Sequence, residues 1–266
     1  MFHKHAPPQT IFAGEFTSET LEEISETESS EIFTDDTVDS QETVSDENIS
    51  LFNSEEIPEF DDEISVEAAT DEGIKDINIT NVSCTINSSG SYRITSNGVQ
   101  TENNITLENI TTGTINIYLN NVNISNPNGP ALQIKGTVTI DVVNIYLEGD
   151  NTLTTTNKTS AGLQKDTIDK IYHNELHIYN SPFNSSGIVG TLTASAIEGA
   201  GIGSNTDTPC HQVYIHGGSI KASSEKGAGI GGGSSNSGSQ GGGYNISISG
   251  GSITASSQQG DGIGNG

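Results

Sequence analysis

The chain has 266 residues and a formal net charge of −26, with 35 Asp and Glu against nine Lys and Arg. This acidic balance argues against a nucleic-acid partner, because phosphate binding requires clusters of Lys and Arg, and it argues equally against an anionic membrane surface. No apolar run approaches the roughly 20 residues that a membrane-spanning helix needs, so the sequence predicts no transmembrane segment.

The charge divides the chain into two regions. Residues 1–74 hold 22 Asp and Glu against one Lys, whereas residues 75–266 hold 13 against eight Lys and Arg. In the first region acidic and hydroxyl side chains alternate with single Ile, Phe or Val, and like charges repel where no apolar face forms. The sequence therefore predicts an acidic Ser/Thr/Glu-rich disordered leader or linker over 1–73 and a repeat domain over 74–266.

The beginning of the chain reads MFHKHAPPQTIFAGEF and lacks the apolar core, of about 7–15 residues, that a secretory signal peptide has. No signal peptide is visible in this chain. Cys84 and Cys210 are the only cysteines, and their spacing fits neither a metal site nor a Cys-x-x-Cys motif.

After the leader, an apolar anchor beside small residues recurs every 28 to 39 residues. The anchors are Val99, Leu132, Leu163, Ile202, Ile230 and Ile263. The last of them lie in the glycine-rich phrases GAGIG, GAGIGGG and GDGIGNG. A period of about 30 residues in six copies indicates a solenoid.

Two alternating stretches precede most anchors. The first stretches are INIYL from Ile115, VNIYL from Val143, LHIYN from Leu176, VYIHG from Val213 and ISISG from Ile246. The second stretches are NISNP from Asn123, TLTTT from Thr152, TLTAS from Thr191, SIKAS from Ser219 and SITAS from Ser252. Alternation predicts half-buried strands, and three short strands in each repeat predict an all-β, right-handed parallel β-helix with about six rungs.

The alternation also predicts which side chains enter the core. We expect Ile124, Leu153, Leu192, Ile220 and Ile253 to form one continuous inward file. We expect Ile117, Ile145, Ile178, Ile215 and Ile248 to form a second file. With about 4.8 Å between rungs, Cys84 and Cys210 are too far apart for a disulfide, which requires Cα atoms within about 7 Å.

The neighbours of the Ile117 file point outward and form the candidate site. One column is Tyr118, Tyr146, Tyr179, His216 and Ser249, and the other is Asn116, Asn144, His177, Tyr214 and Ser247. Tyr rings offer an apolar surface with a polar tip, and Asn and His add hydrogen-bonding groups, which together match the C–H patch and hydroxyls of a sugar. We predict carbohydrate binding by Tyr118, Tyr146, Tyr179, His177, Tyr214, His216, Asn116 and Asn144. The alternative is that Tyr simply favours strands and that the rings cover one another across rungs.

Several longer phrases follow one another in a fixed order, and they are INSSGSYRITSNGV, INIYLNNVNIS, IYLEGDNTLTTTNKTSAGLQ, GTLTASAIEGAGIG and VYIHGGSIKASSEKGAGIGGG. Through these phrases, residues 78–266 resemble bacterial cell-surface right-handed β-helix proteins of the carbohydrate-binding-domain type. The resemblance implies an exported, surface-displayed module that binds polysaccharide without cleaving it. Some relatives look calcium-dependent, but no calcium ligand set is identified in this sequence, so no cofactor is predicted.

One phrase of the sequence raises the possibility of a polysaccharide-cleaving enzyme. The phrase Asn205-Thr206-Asp207 matches one found in pectin-cleaving hydrolases. Glycoside hydrolysis requires a second carboxylate as partner, and only Glu225 and Asp261 follow Asp207. We therefore predict no catalytic residue and no enzyme, and a partial polysaccharide lyase or hydrolase is the second alternative.

The sequence thus predicts a non-catalytic polysaccharide-binding or adhesion module that is extracellular or displayed at the cell surface. The expected partner is a polysaccharide such as a plant or microbial cell-wall glycan, and the first alternative is a structural adhesin or spacer that binds no glycan. The chain stops at GDGIGNG, within a period. Because solenoid ends need capping, we expect further repeats or a partner at this end.

Overall fold

The computed structural model describes residues 9–12, 71–166, 174–235 and 241–266. In the first range it gives the backbone alone, as strand β1 (Gln9–Phe12). Apart from β1 and residues 71–73, the predicted disordered leader over 1–73 lies outside the described residues.

The other described strands form three sheets, each holding one strand from successive turns of the chain. Sheet 1 contains β2 (Ile74–Asn78), β4 (Gly90–Thr95), β6 (Ile115–Asn120), β9 (Val142–Glu148), β12 (Glu175–Asn180), β15 (Cys210–Ile215) and β18 (Gly243–Ile248). Sheet 2 contains β7 (Asn123–Asn126), β10 (Asp150–Thr155), β13 (Thr191–Ala196), β16 (Ser219–Ser224) and β19 (Ser252–Ser257), with β1 antiparallel to β19. Sheet 3 contains β3 (Cys84–Ile86), β5 (Ile105–Leu107), β8 (Leu132–Ile134), β11 (Leu163–Lys165), β14 (Ile202–Gly203), β17 (Ile230–Gly231) and β20 (Ile263–Gly264).

From β6 onward the chain visits the sheets in the fixed order 1, 2, 3 and then returns to sheet 1. Each of these strands pairs in parallel with its equivalent in the next turn. The residues of the described ranges form no helix, and therefore none that could span a membrane. The predicted all-β parallel β-helix of about six turns is confirmed, and parallel crossovers of this kind are almost always right-handed.

Sheet 1 contains the inward file that the alternation predicts. Ile117 pairs with Ile145, and the file continues through Ile178 and Ile215 to Ile248. The first four of these side chains are fully buried. Burial of one such side chain contributes about 1.5–3 kcal/mol, so the file is a main source of stability for the stacked turns.

The predicted single file on sheet 2 is wrong in its register. Leu153 pairs with Ile124 on one side but with Ala194 on the other, whereas Leu192 pairs with Asn151. Two files result, one of which is Ile124, Leu153, Ala194, Ala222 and Ala255, and the other is Asn151, Leu192, Ile220 and Ile253. A shift of two residues keeps every side chain on its face, so all the expected residues remain buried.

Asn151 occupies the place where this register shift begins. Its side chain is buried, and its Oδ1 accepts a hydrogen bond of 3.0 Å from the backbone N–H of Val122. Its Nδ2 donates to the carbonyl oxygens of Glu148 and Thr191, each at 3.1 Å. The amide therefore satisfies backbone groups at the corner that leads into sheet 2, where a Leu would leave them unpaired.

Sheet 3 holds the apolar anchors, with one correction. Leu132, Leu163, Ile202, Ile230 and Ile263 pair in register, as the repeat predicts. Val99 does not belong to this file, because its side chain is 52% exposed. Ile105 pairs with Leu132 in its place, and Cys84 pairs with Ile105 in turn. Cys84 and Cys210 are both buried and free.

Candidate functional site

The candidate site is the outward face of sheet 1, and the structure brings all eight predicted site residues together there. In the first column Tyr118, Tyr146 and Tyr179 pair in register, and His216 and Ser249 follow on the next two turns. In the second column Asn116, Asn144, His177, Tyr214 and Ser247 pair in register. The period-2 pattern thus places every predicted residue on the predicted face.

The aromatic rings of the first column stack on one another. The ring centroids are 4.7 Å apart for Tyr118 and Tyr146, 5.2 Å for Tyr146 and Tyr179, and 4.6 Å for Tyr179 and His216. These distances follow the spacing of about 4.7–4.9 Å between paired strands, and the planes differ by no more than 20°. Neighbouring rings cover each other's faces. Tyr118 is buried, at 9% exposed, with the Phe183 ring 5.3 Å from its own ring, so it is not an exposed ring as predicted, and Tyr146 and Tyr179 are only partly exposed.

The second column is a ladder of polar contacts. Asn144 Nδ2 donates to Asn116 Oδ1 at 3.0 Å, and Asn116 Nδ2 donates to Ser91 Oγ at 3.1 Å. On the following turns the His177 ring stacks on the Tyr214 ring with centroids 4.7 Å apart. Both columns are therefore preorganised along the axis of the solenoid.

An ion-pair cluster closes one end of the tyrosine stack. Arg93 lies one turn before Tyr118, and its Nε donates to Glu148 Oε2 at 2.9 Å. Its guanidinium also contacts Asp71 at 2.7 Å and lies 5.2 Å from the centre of the Phe183 ring. Glu148 is buried, and its second oxygen accepts from Ser181. This cluster was not predicted, although Arg93 is the single arginine of the chain.

A chain of hydrogen bonds lies at the other end of the face. His177 Nε2 is 3.1 Å from Glu175 Oε2, and His177 Nδ1 is 3.0 Å from His216 Nε2. His216 Nδ1 is 3.0 Å from Ser249 Oγ. Gln212 Nε2 donates to the other oxygen of Glu175 at 3.0 Å. Glu175 and Gln212 were not predicted, but Glu175 precedes His177 by two residues and so shares its face of the strand.

Burial shifts the pKa values of two side chains on this face, Tyr146 and His216. It raises the pKa of Tyr146, with the neighbouring Tyr118 and Tyr179 adding to the rise. Burial also lowers the pKa of His216, and the nearby His177 lowers it further. Tyr146 is therefore a neutral phenol at neutral pH, and the neutral form of the His216 imidazole is favoured. The raised pKa of Tyr146 thus leaves this ring able to donate a hydrogen bond and without a charge.

The pectinase-like phrase forms contacts typical of a turn. Asp207 has a positive φ of 60°, and the Thr206 hydroxyl donates to the carbonyl oxygen of Thr159. Asn205 accepts from the Thr208 hydroxyl at 2.6 Å through its side-chain oxygen. Within the described ranges, no three His, Cys, Asp or Glu side chains converge in a way that would hold a metal ion.

Comparison with protein-family models agrees with the fold. A family model described as a beta helix repeat matches residues 213–234 and 246–266. The two segments begin at equivalent positions, because Val213 pairs with Ile246 across adjacent turns. No curated protein and no solved structure gives a significant match. By its fold and its repeats, the chain is a parallel β-helix protein.

Proposed function

We propose that the chain is a polysaccharide-binding module of an extracellular or cell-surface protein, and that it binds through the outward face of sheet 1. The observation that carries the proposal is the pair of in-register columns, in which polar and aromatic groups repeat once per strand. That repeat is close to the length of one pyranose unit in an extended polysaccharide. A chain lying along the solenoid axis meets a pair of polar or aromatic side chains at each successive sugar.

The stacked rings define how such a chain binds. Their faces are covered, so sugars contact ring edges, phenol hydroxyls and the Asn116 and Asn144 amides rather than lying flat on a ring. The Arg93 guanidinium is already paired with Asp71 and Glu148. With neutral phenols and an engaged arginine, the face suits a neutral polysaccharide better than an acidic one. Hydrogen bonds between neutral groups contribute about 0.5–1.5 kcal/mol each, so binding depends on several sugars together.

The second candidate function is that of a structural adhesin or spacer. The ring stack supports it, because rings that cover one another stabilise neighbouring turns without any ligand. Aromatic pairs of this kind contribute about 0.5–1.5 kcal/mol beyond their buried area. A partial polysaccharide-cleaving enzyme is the third candidate, and it predicts release of reducing or unsaturated sugars that Asp207→Ala abolishes.

Two double variants separate binding from structure. Tyr146→Phe with Tyr179→Phe removes the two hydroxyl groups but keeps the ring stack. Tyr146→Ala with Tyr179→Ala removes the hydroxyl groups and the rings. We expect the Phe pair to weaken retention on an array of neutral polysaccharides about tenfold, since two hydrogen bonds are lost, and the Ala pair to abolish it.

Lys221→Ala, on the outward face of sheet 2, is the matched control and should leave retention unchanged. Circular dichroism establishes that each variant is folded. If both Tyr variants are retained like the wild type, the face is not the site. If the wild type binds no glycan, the spacer function replaces the proposal.

A further inference from the structure

Four side chains at one end of the face form a continuous hydrogen-bonded relay, in which the predicted binding residues His177 and His216 are joined to Glu175 and Ser249. Ser249 Oγ contacts His216 Nδ1, His216 Nε2 contacts His177 Nδ1, and His177 Nε2 contacts Glu175 Oε2, with separations of 3.0, 3.0 and 3.1 Å. The Ser249 hydroxyl also lies 3.4 Å from the Ile215 carbonyl oxygen, but its contact with the imidazole is shorter.

With both imidazoles in the neutral form, the carboxylate sets the direction of each bond in this relay. Glu175 can only accept, so the proton of His177 lies on Nε2, and Nδ1 of the neutral ring is an acceptor. The Tyr179 hydroxyl, 3.3 Å from the same Nδ1, is a donor that agrees with this assignment. His216 Nε2 must then donate to His177. The bare Nδ1 of His216 is left to accept the proton of the Ser249 hydroxyl.

We propose that Ser249 is the nucleophile of an acyl-transfer site that hydrolyses small carboxylic esters, with His216 as its general base. The geometry is that of an activated nucleophile, because nucleophile and base are within hydrogen-bonding distance and a third group orients the base. His177 and Glu175 act through His216 and are positioning residues. This activity goes beyond polysaccharide binding and does not depend on it.

The surroundings of the relay hold it in place. Gln212 is 8% exposed, and its bond to Glu175 Oε1 leaves Oε2 for His177. Both oxygens of the carboxylate are therefore occupied by donors in a fixed arrangement. The lowered pKa of His216 keeps its ring unprotonated and ready to accept a proton at neutral pH.

The reaction proceeds in two balanced steps. Ser249 Oγ attacks the carbonyl carbon of the ester while its proton passes to His216 Nδ1. The bond between the carbonyl carbon and the alcohol oxygen breaks, and His216 gives its proton to the departing alkoxide. Water then attacks the acyl-serine, His216 accepts a proton from that water, and the same proton returns to Ser249 Oγ as the carboxylic acid leaves.

The position of Ser249 limits the acyl group. Ser249 and His216 are exposed on the outward face of sheet 1, and we assign the site an acetyl-sized acyl group on a hydroxylated carrier. The Gly250–Gly251 turn directly follows the serine in the sequence. This substrate class fits O-acetyl esters presented along the face.

A fluorophosphonate probe and p-nitrophenyl acetate test the proposal on the full chain. We expect one covalent adduct on Ser249 by mass spectrometry, and esterase activity that Ser249→Ala abolishes. His216→Ala should lower activity about 100-fold or more, the usual contribution of a general base. Ser252→Ala, an exposed serine three residues further along the chain, is the control and should keep both adduct and activity.

Glu175→Gln tests the relay separately from the nucleophile. Without the carboxylate, the protonated imidazoles are less stable, so the acidic limb of the pH–kcat/KM profile should move to lower pH while Ser249 is still labelled. An unchanged limb overturns the positioning role of Glu175. A folded wild type without an adduct, or an adduct that persists in Ser249→Ala, overturns the site, and neither result bears on glycan retention.

Discussion

The turns around β6 and β9 and the turns around β14 and β17 build the same three-sheet interior in different ways. In the earlier turns large side chains fill the space, as Ile117 and Ile145 do on sheet 1 and Leu153 does on sheet 2. In the later turns one of the two sheet 2 files consists of Ala194, Ala222 and Ala255, and glycines bring neighbouring backbones into contact. Large buried side chains such as Ile202 and Ile230 remain in these turns, but close backbone packing replaces side-chain volume along this file and at the glycines.

One register position on sheet 3 shows the contrast directly. Gln133 pairs with Gln164, Gln164 pairs with Gly203, and Gly203 pairs with Gly231. Gly203 has a φ of +142°, and a Cβ added to it would lie against the carbonyl oxygen of Gly231. The same column thus accepts a glutamine in the earlier turns and excludes even a methyl group in the later ones. The two regions should therefore respond to opposite kinds of substitution.

The largest expected effect comes from enlarging the glycine column. Gly203→Ala combines an unfavourable φ with a clash against the next backbone, and we expect it to lower the free energy of unfolding by about 3 kcal/mol or more. Gln133→Ala, at the same register position, loses a hydrogen bond to Asp166 and should cost about 1 kcal/mol. Urea denaturation measures both, and equal losses would contradict the distinction between the regions.

Shortening a buried side chain should lower the free energy of unfolding more in the earlier turns than in the later turns. Ile145→Ala removes a fully buried side chain between two neighbours of its file and should cost about 2–5 kcal/mol. Ala222→Gly, in the alanine file, removes a single methyl group and should cost about 1 kcal/mol. The same denaturation experiment compares them, and a greater loss at Ala222 would show that the later turns also depend on side-chain volume.

The smallest expected effect is a pH dependence from Cys210 in the later turns. Burial raises the pKa of this thiol to about 11 from a model-compound value of 9.0, although Lys165 acts in the opposite direction. A raised folded-state pKa means that the contribution is present below pH 9 and is lost as the pH rises towards 11. We therefore expect the wild type to lose more unfolding free energy over this interval than Cys210→Ala does. Parallel curves would contradict the burial of the thiol.

Periodicity predicted the site face because it is a local property. In stretches such as VNIYL and LHIYN, alternation alone places Tyr146, Tyr179 and His177 outward and the intervening Ile inward. The stretches of sheet 1 also share a pattern that aligns them without a gap, so their register across turns was predicted correctly. The roles of these residues in binding stay a prediction.

Periodicity did not predict the shift on sheet 2. The stretches TLTTT and TLTAS share the residues TLT, and that similarity places Leu153 opposite Leu192. In the structure, Leu153 lies opposite Ala194. Because a shift of two residues leaves the inward and outward pattern unchanged, no local signal distinguishes the two registers. Packing inside the solenoid and the amide bonds of Asn151 decide between them. Val99 shows a similar ambiguity, since its SNGV phrase is like an anchor but Ile105 occupies the file.

The sequence by itself determined the turn-by-turn repeat and the face on which each strand residue lies, because both follow from the spacing of side chains along an extended backbone. The tertiary structure alone decided which residues of different turns meet. That choice covered the faces of the tyrosine rings, paired Arg93 with Glu148 and joined Ser249 to Glu175 through two imidazoles. Contacts between turns depend on register, and register is set by the packing of residues that lie far apart in the chain.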